Sequence, residues 1–508
     1  MIETAFAQLR FAVSMLFGIP FSLRSLDRMI DAALETRREF GEIGAEGAEL
    51  VSGPTLDEGT RRDVQLRRFR KQATFGARET AYYAEVFKQA DLDPARLTYD
   101  DIAQIPLTPK EAIRDNPDTF VRRNARHALR TTTSGTTGRP AHVCFSQYEL
   151  AVTIALGAMS SILDNSIMSE DIVQISSSSR ATLGNLCFAG TCVRLGALVC
   201  PVGLVEPDMT LSLLREEHHI KGKKPHVSVI FTYPSYLGEI VECGLRLGYG
   251  PRDFGLERIV AGGEIVSEGL KARARQLFGE VRFDQGYGIT ELWPLGGRVC
   301  PQGHLHFEVS QGLIEVIAPD TGAPAEDGEA GTIVGTPFAP YRDSTVVLRY
   351  DTQDVVRPIV GPLDCSMKNL PATSNLLGKL GLSVRHDAGW TFPRDVVEAL
   401  EAVEEVPLPA RCGFWAVPGG VAVEVVARGD LVVVQRKIEA SLEKHGVPLR
   451  ELRVLDDRSQ LRKPLPWRGD LRELTFDAYA RPAPPPPDML ANSTNKNTLT
   501  GALIDDRR

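Results

Sequence analysis

Several features are scarce in this chain of 508 residues. It has only 8 cysteines, without the close regular spacing of a disulfide framework, so we expect free thiols in a reducing compartment, the cytoplasm. Positive charge is also scarce, because 58 Lys and Arg stand against 66 Asp and Glu, a net charge of −8. Such a chain has no overall field that attracts nucleic acid or an anionic membrane, and we expect neither as a partner.

Long hydrophobic runs are absent as well. The most apolar stretch near the N-terminus, FAVSMLFGIPFS at residues 11–22, is interrupted by Pro20 and is shorter than the roughly 20 apolar residues that span a bilayer. A charged amphipathic helix follows it where a secretory signal would have a cleavage site of small residues. The sequence therefore predicts no transmembrane helix and an N-terminal helix that packs on the body of the protein.

The remaining composition, with 43% hydrophobic and 24% charged residues, is typical of globular proteins. Runs of β-branched residues, separated by helical stretches, predict a mostly parallel sheet. They are DIVQIS at 171, GALVCPVG at 196, HVSVIFTYP at 226 and ERIVAGGE at 257. After about Gly312 the pattern changes to antiparallel strands and turns. A smaller unit with two helices and short strands begins near Leu380.

We therefore predict an α/β fold. It consists of a large N-terminal α/β domain with parallel sheets and a β-rich subdomain, plus a smaller α+β C-terminal domain. The predicted boundaries are a helical N-terminal extension at 1–60, the large domain at 61–379, the small domain at 380–480 and a Pro-rich, loosely ordered tail at 481–508.

The most specific segment is LRTTTSGTTGRPAHVCFS, at residues 129–146. Its Thr, Ser and Gly residues leave backbone N–H groups and hydroxyls free to bind phosphate oxygens. It is not a Walker A loop, because the Gly-Lys-Ser/Thr ending is missing, and a P-loop NTPase is thereby excluded. A polar hairpin turn is the alternative interpretation of the same residues.

Two further segments follow, DQGYGITEL at 284–292 and LRYDTQDVV at 348–356. In this order and at these separations, the three segments resemble the adenylate-forming superfamily of acyl-CoA synthetases, luciferases and peptide-synthetase adenylation domains. The stretches ETAYYAEVF and IPLTPKEAIRDN resemble its phenylacetate-CoA ligase-like branch. The resemblance spans about residues 65–400 and implies an ATP-dependent ligase that forms AMP, with ATP and substrate bound in the large domain. It also implies that the small α+β C-terminal domain is mobile.

The resemblance also implies a role for each matching residue. Glu291 would hold Mg²⁺, Tyr287 would stack on adenine and Asp354 would accept hydrogen bonds from the ribose hydroxyls. Lys379 stands where the family usually has an Arg near the domain hinge. The other residues expected to bind the nucleotide are Thr133, Ser134, Gly135, Thr136, Thr137, Gly138, Gly263, Glu264, Gly288 and Thr290. Taken singly, such residues also have structural interpretations, as a helix-start carboxylate, a core aromatic or a turn residue.

The chain departs from the family pattern at its hinge and near its C-terminus. Gly381 replaces the acid of the hinge, and Ala388 stands where a glycine helps to shape the tunnel for the pantetheine arm of CoA. The late catalytic lysine of the family matches Arg462, with Lys463 beside it. We predict that one of these two is the cation that bridges the carboxylate and the α-phosphate, and the sequence does not choose between them.

The expected reaction follows from the resemblance. We expect ATP-dependent activation of a small, aromatic carboxylic acid as its acyl-adenylate and transfer to CoA, with ATP, Mg²⁺ and CoA as cofactors. The alternatives are a diazotase that joins adenylated nitrite to an aromatic amine, and a non-catalytic nucleotide-binding relative. Tyr233, Tyr236 and Trp293 are candidates for the acid pocket, with core packing as the alternative. The oligomeric state is left open, with a homodimer among the states considered.

A last group combines cysteine and histidine. Cys300, His304 and His306 lie close together in VCPQGHLHF, and Cys365 follows much later. Four such donors can close a structural zinc site. Buried thiols beside hydrogen-bonded histidines are the alternative, and both interpretations stay open at this point.

Overall fold

The computed structural model describes residues 2–42, 44, 57–133, 140–178, 182–387, 389–468 and 470. The N-terminal part of this chain is helical. Its helices are α1 (Ile2–Phe17), α2 (Leu23–Phe40), α3 (Glu58–Glu79) and α4 (Ala81–Ala90). Thr80 separates the last two, because its side chain accepts a hydrogen bond from the backbone of Tyr83 and so begins a new helix.

The predicted docking of the N-terminal helices is confirmed. Leu26 and Ile30 of α2 are fully buried and pack in one cluster with Val152 of the later helix α7 (Gln147–Leu163). Between these parts lie α5 (Tyr99–Gln104), α6 (Lys110–Asp115), β1 (His127–Thr132) and β2 (His142–Ser146). None of the described helices is long and apolar enough to cross a lipid bilayer.

The predicted runs of β-branched residues form the parallel part of the largest sheet. Its strands are β3 (Ile172–Ser176), β4 (Leu198–Pro201), β5 (Val229–Thr232), β6 (Arg258–Gly262) and β7 (Arg282–Gly288). The connecting helices are α8 (Thr182–Arg194), α9 (Pro207–Arg215), α10 (Pro234–Arg246) and α11 (Glu268–Phe278). One core lies between α10, α11 and the sheet, and another lies between the sheet and α2, α7 and α8. Because both faces are covered, β3 to β6 consist mostly of apolar residues.

Antiparallel strands extend this sheet at one edge. They are β8 (Gly296–Val299), β9 (Leu305–Phe307), β13 (Pro358–Ile359) and β14 (Ala372–Thr373). Within the described residues the strand order is β13-β14-β9-β8-β7-β6-β5-β3-β4. A separate antiparallel sheet contains β10 (Gly312–Ile317), β11 (Gly331–Pro337), β12 (Tyr350–Val356) and β15 (Gly378–Lys379). The predicted change from parallel to antiparallel strands after about residue 312 is therefore close to the observed one, although β8 and β9 already run antiparallel.

The C-terminal part contains the predicted small α+β unit. Its elements are β16 (Val384–His386), β17 (Gly389–Thr391), α12 (Pro393–Glu401), β18 (Cys412–Val417), β19 (Gly420–Val426), α13 (Leu431–Lys444) and β20 (Leu449–Leu455). Strand β19 pairs antiparallel with β18 and parallel with β20. The α/β fold class is thereby confirmed.

The small unit packs firmly on the large one. The guanidinium of Arg273 on α11 donates to the backbone carbonyls of Glu401 and Val406, both at 2.9 Å. Gly269 lets α11 approach closely, because a Cβ there would clash with the backbone of Glu401. The described residues form one compact unit, so the domain boundaries and the mobility of the small domain stay predictions. The predicted tail at 481–508 lies outside the described residues.

Candidate functional site

A cavity of about 60 Å³ opens at the carboxyl ends of β6 and β7. Parallel strands expose their last residues at this edge of a sheet, which is where ligands of open α/β sheets bind. The structure brings many of the predicted nucleotide-binding residues together here. The cavity is lined, among others, by Gly263, Glu264, Tyr287, Gly288, Asp354 and Lys379.

Asp354 is the centre of one group of polar side chains in this cavity. Its carboxylate is almost fully buried and accepts a hydrogen bond from the Tyr287 hydroxyl at 2.9 Å. The Lys379 ammonium lies 2.8 Å from its other oxygen, because β12 and β15 pair these two residues directly. Burial and the Asp354 charge raise the pKa of Tyr287 well above its usual value, so its hydroxyl stays protonated and remains a donor.

Glu291 forms a second group with Tyr350. The Glu291 side chain is buried, and the Tyr350 hydroxyl donates to its Oε1 at 2.8 Å. Burial and the charge of Glu291 raise the pKa of Tyr350 well above its usual value. Because Tyr350 begins the strand that also carries Asp354, β12 links the two groups.

Lys110 adds a positive charge beside both carboxylates. Thr108, two residues before Lys110, is held next to β12. Its N–H donates to the carbonyl of Arg349, the residue just before that strand, at 2.8 Å. Burial lowers the pKa of the Lys110 ammonium, and the nearby charges of Glu291 and Asp354 partly offset this effect. Sequence reasoning missed this residue, although it lies within the quoted stretch IPLTPKEAIRDN.

Strands β1 and β2 contain the two ends of the Thr-rich segment and pair antiparallel as a hairpin. Thr133 extends this pairing by one residue, because its N–H donates to the Ala141 carbonyl at 3.0 Å and its hydroxyl accepts from the Ala141 N–H at 2.9 Å. The hairpin packs against Trp293, two residues after Glu291. The rest of the predicted phosphate loop lies outside the described residues: Ser134, Gly135, Thr136, Thr137 and Gly138.

Arg468 enters the cavity from the C-terminal part. Its backbone N–H donates to the Glu264 carboxylate, whose other oxygen accepts from the Ser235 N–H at 2.8 Å. Burial raises the pKa of Glu264. Gly263 has a φ of +86°, and a Cβ there would meet the Arg468 guanidinium. Glycine is therefore required at this position both by the backbone conformation and by the approach of the guanidinium.

Comparison with known proteins agrees with this geometry. The model of the family described as AMP-binding enzyme matches residues 65–336, more than half of the chain. The chain belongs to this family. It is an AMP-forming ligase of the adenylate-forming superfamily, which confirms the resemblance noted from the three motifs.

Two curated proteins and one solved structure are similar to this chain. This AMP-binding enzyme is 26% identical over 374 residues to phenylacetate-coenzyme A ligase of Thermus thermophilus, covering 69% of this chain and 78% of the relative. It is 27% identical over 228 residues to the chloroplastic/peroxisomal 2-succinylbenzoate–CoA ligase of Arabidopsis thaliana, covering 44% of this chain and only 36% of that relative. The fold is similar to that of a 2-hydroxyisobutyryl-CoA ligase in its postadenylation state, with a TM-score of 0.66, 17% identity and coverage of 79% and 87%.

Two predicted residues of the AMP-binding enzyme lie away from the cavity lining. The Arg462 side chain is exposed and pairs with Glu424 of β19 at 3.3 Å, and the backbone carbonyl of the exposed Lys463 lies against Gly413 of β18. Arg468, a few residues further along, lines the cavity instead. The catalytic role assigned to Arg462 or Lys463 stays a prediction.

The remaining predicted residues lie in the core, at or next to the end of β7, or near the predicted hinge. Tyr236 is a core residue, because it is fully buried and its hydroxyl bonds with Thr210 at 2.7 Å. Gly288 ends β7 and Thr290 follows it in the turn that leads to Glu291. Gly381 lies in a short 3₁₀ turn with open space around it, while Ala388 lies outside the described residues, so the hinge and tunnel interpretations stay predictions.

Proposed function

We propose that this enzyme activates a small aromatic carboxylic acid with ATP as its acyl-adenylate and then transfers the acyl group to CoA. The observation that carries the proposal is the arrangement of Asp354 and Glu291, two buried carboxylates connected by β12. One can bind the sugar of a nucleotide and the other a cation on its phosphates. The family membership and the Thermus phenylacetate-coenzyme A ligase relative support the same reaction.

Asp354 is proposed to bind the ribose. An ionised carboxylate accepts hydrogen bonds from two neighbouring hydroxyls, and the Lys379 ammonium lies 2.8 Å from one oxygen of this carboxylate. Tyr287 forms the wall beside it, with its ring 6.2 Å from that of Phe307 and its hydroxyl held by Asp354. The ring is therefore fixed in orientation, which suits a surface on which adenine stacks.

Glu291 is proposed to hold Mg²⁺, and its surroundings fit that ion. Mg²⁺ in nucleotide sites uses one or two carboxylates and completes its shell with phosphate oxygens and water. The bond from Tyr350 occupies Oε1 and holds the carboxylate in one orientation. When bound, the ion would neutralise charge on the phosphates.

The first step joins two anions and therefore needs positive charge. A carboxylate oxygen of the acid attacks the α-phosphorus, and the bond from that phosphorus to pyrophosphate breaks. Lys110 and Arg468 approach the site from opposite ends of the chain, and we propose that Lys110 serves the phosphates while Arg468 serves the acid carboxylate or the α-phosphate. Arg468 thus competes with Arg462 and Lys463 for the role of the late cation. Thr133 would support the phosphate loop at its base.

In the second step, the thiol sulfur of CoA attacks the acyl carbonyl and AMP leaves. This step requires CoA to reach the carbonyl, so movement of the part that begins at residue 380 belongs to the proposal. An aromatic acid is favoured by the Thermus phenylacetate-coenzyme A ligase relative. The half-buried rings of Phe231 on β5 and Phe188, which stack with their centroids 4.6 Å apart, are candidates for its pocket. The relatives named above are CoA ligases, so the diazotase alternative gains no support from them. The homodimer and the cytoplasmic location stay predictions.

The test separates the two steps. The full chain is incubated with ATP, labelled pyrophosphate and one acid at a time, and exchange of label into ATP is measured before CoA is added. We expect exchange that requires an aromatic acid, followed by equal consumption of CoA and formation of AMP. Arms with nitrite and an aromatic amine test the diazotase. Exchange with nitrite but with no carboxylic acid would contradict the proposal, and absence of exchange with every acid would favour the non-catalytic alternative.

A further inference from the structure

A group of cysteine and histidine side chains meets behind one wall of the nucleotide cavity. The group consists of Cys300, His304, His306 and Cys365, and we name it the Cys-His cluster. Its ligand atoms all lie within 4.8 Å of one another. We propose that the Cys-His cluster binds a structural zinc ion. This inference goes beyond the proposed function and does not depend on it.

The topology of the sheet edge brings the four residues together. Cys300 follows β8 directly, and a turn returns the chain into β9, since the Cys300 N–H donates to the His304 carbonyl at 2.9 Å. Gly303 has a φ of +87° in this turn. Cys365 comes from the connection between β13 and β14, and β14 pairs with β9. Ligands from three separate segments therefore converge on one point at the edge of the sheet.

His306 has the geometry of a metal ligand. Its ring is buried, and Nδ1 faces the Leu370 carbonyl at 3.4 Å. A proton on Nδ1 satisfies that carbonyl and leaves the lone pair of Nε2 directed at the Cys365 sulfur, 3.4 Å away. Ligating histidines usually donate their other N–H to a carbonyl or carboxylate in this manner, which fixes the ring and its tautomer.

His304 supplies an independent observation. Its Nδ1 is buried and has no hydrogen-bond partner among the residues that the structure describes. A buried polar atom without a partner costs free energy, so such atoms usually signal a ligand or water that completes them. A metal ion between the ring and the two thiols would supply the missing partner.

The donor set selects zinc. Two thiolates and two imidazoles are a common set for structural Zn²⁺, with bonds of about 2.3 Å to sulfur and 2.0–2.1 Å to nitrogen. A tetrahedral arrangement with these bonds separates neighbouring ligand atoms by about 3.3–3.8 Å. The His306–Cys365 pair already has this separation, and the widest pair would have to close by about 1 Å. Four protein ligands leave no open position, so the site is structural and not catalytic.

The position of the cluster indicates what the ion would hold. Val299 and Leu305, which flank the turn between β8 and β9, line the nucleotide cavity. Cys365 lies in the segment that leads from Asp354 to Lys379. Zinc would therefore link the turn between β8 and β9, beside the cavity, to the segment between Asp354 and Lys379. It would hold this turn and this segment in place.

The test is a measurement of metal content. The full chain, without a metal-binding tag, is purified in reducing buffer without chelators, and zinc is measured by mass spectrometry of the elements. We expect one zinc ion per chain, and a loss of most of it in Cys365→Ser. Cys200→Ser is the matched control, because Cys200 is also a half-buried free thiol and lies on β4, at the opposite edge of the same sheet. It should keep its zinc.

Several outcomes would overturn the proposal. They are a wild-type chain that retains no ion after incubation with Zn²⁺ and gel filtration, equal zinc content in Cys365→Ser and the wild type, or a disulfide between Cys300 and Cys365. Should Cys365→Ser fail to fold, the wild type alone decides. Removing the metal with a chelator is then expected to lower its Tm by several degrees, and an unchanged Tm would contradict the proposal.

Discussion

The part of the chain before residue 380 and the part after it differ in how closely they keep the pattern of the family. In the first part, Tyr287 near the end of β7 and Asp354 within β12 line one cavity, and Glu291 is bonded to Tyr350 at the start of β12. In the second part, the predicted cation lies on the surface of the small unit, and a different arginine occupies the cavity. Residues that lie on or next to regular strands of the large part are therefore predictable from motifs, whereas a residue that a packed C-terminal segment brings to the cavity is not.

The comparison is tested most severely at Glu291. We expect Glu291→Gln to lower acid-dependent pyrophosphate exchange by about 10³-fold, because removal of one electrostatic stabiliser costs roughly 10²–10³ in rate and the neutral amide is also a poor ligand for Mg²⁺. The exchange rate is measured at saturating ATP over a range of Mg²⁺ concentrations. Glu149→Gln is the control, since Glu149 is equally buried and accepts backbone hydrogen bonds at a helix start outside the cavity. Equal activity of both variants would remove Glu291 from the site.

The arginines of the C-terminal part come next. We expect Arg468→Ala to lower exchange about a hundredfold, since its guanidinium lines the cavity and can meet an anion there. Arg462→Ala and Lys463→Ala should change it by about twofold or less, as is usual for exposed charges in water. The three variants are compared at equal concentration of folded protein. A large loss in Arg462→Ala with a small loss in Arg468→Ala would show that the family pattern holds after residue 380 as well, through a rearrangement of the small unit.

Asp354 should give a smaller and different effect. Asp354→Asn removes the charge that we propose accepts hydrogen bonds from the ribose. Because a hydrogen bond to a charged group contributes about 1.5–3 kcal/mol, we expect the KM for ATP to rise about tenfold or more with less change in kcat. Steady-state kinetics with varied ATP measure both constants. Asp351→Asn, three residues earlier on the same strand, is the control and should leave the KM nearly unchanged. A fall in kcat alone would argue against a ribose contact.

The same difference explains what the sequence could predict. Strands β3 to β6 were recognisable because runs of β-branched residues are typical of buried parallel strands. Strands of two residues, such as β13 and β14, are too short for any periodicity to indicate them. Arg468 was missed because tertiary packing brings it to the cavity from about 110 residues after Asp354. Lys110 was missed because it meets the charges of Glu291 and Asp354 from a helix about 240 residues before Asp354. The prediction for Tyr236 failed in the opposite way. As an aromatic residue near a strand end it was a candidate for the acid pocket, but it packs in the core.

The smallest effect concerns the contact between the two parts. Glu401 of α12 is buried and accepts hydrogen bonds from the Ser267 hydroxyl and the Ala410 N–H, and burial raises its pKa above the usual value. The folded protein then binds a proton at Glu401 more strongly than the unfolded chain does, so this residue favours folding more as the pH falls through its raised pKa. Glu401→Gln cannot titrate. We expect the free energy of unfolding of the wild type, relative to Glu401→Gln, to increase between pH 7 and pH 5 in denaturant titrations. A difference that is constant with pH would mean that Glu401 keeps its usual pKa, and that the small unit is held by contacts that do not titrate.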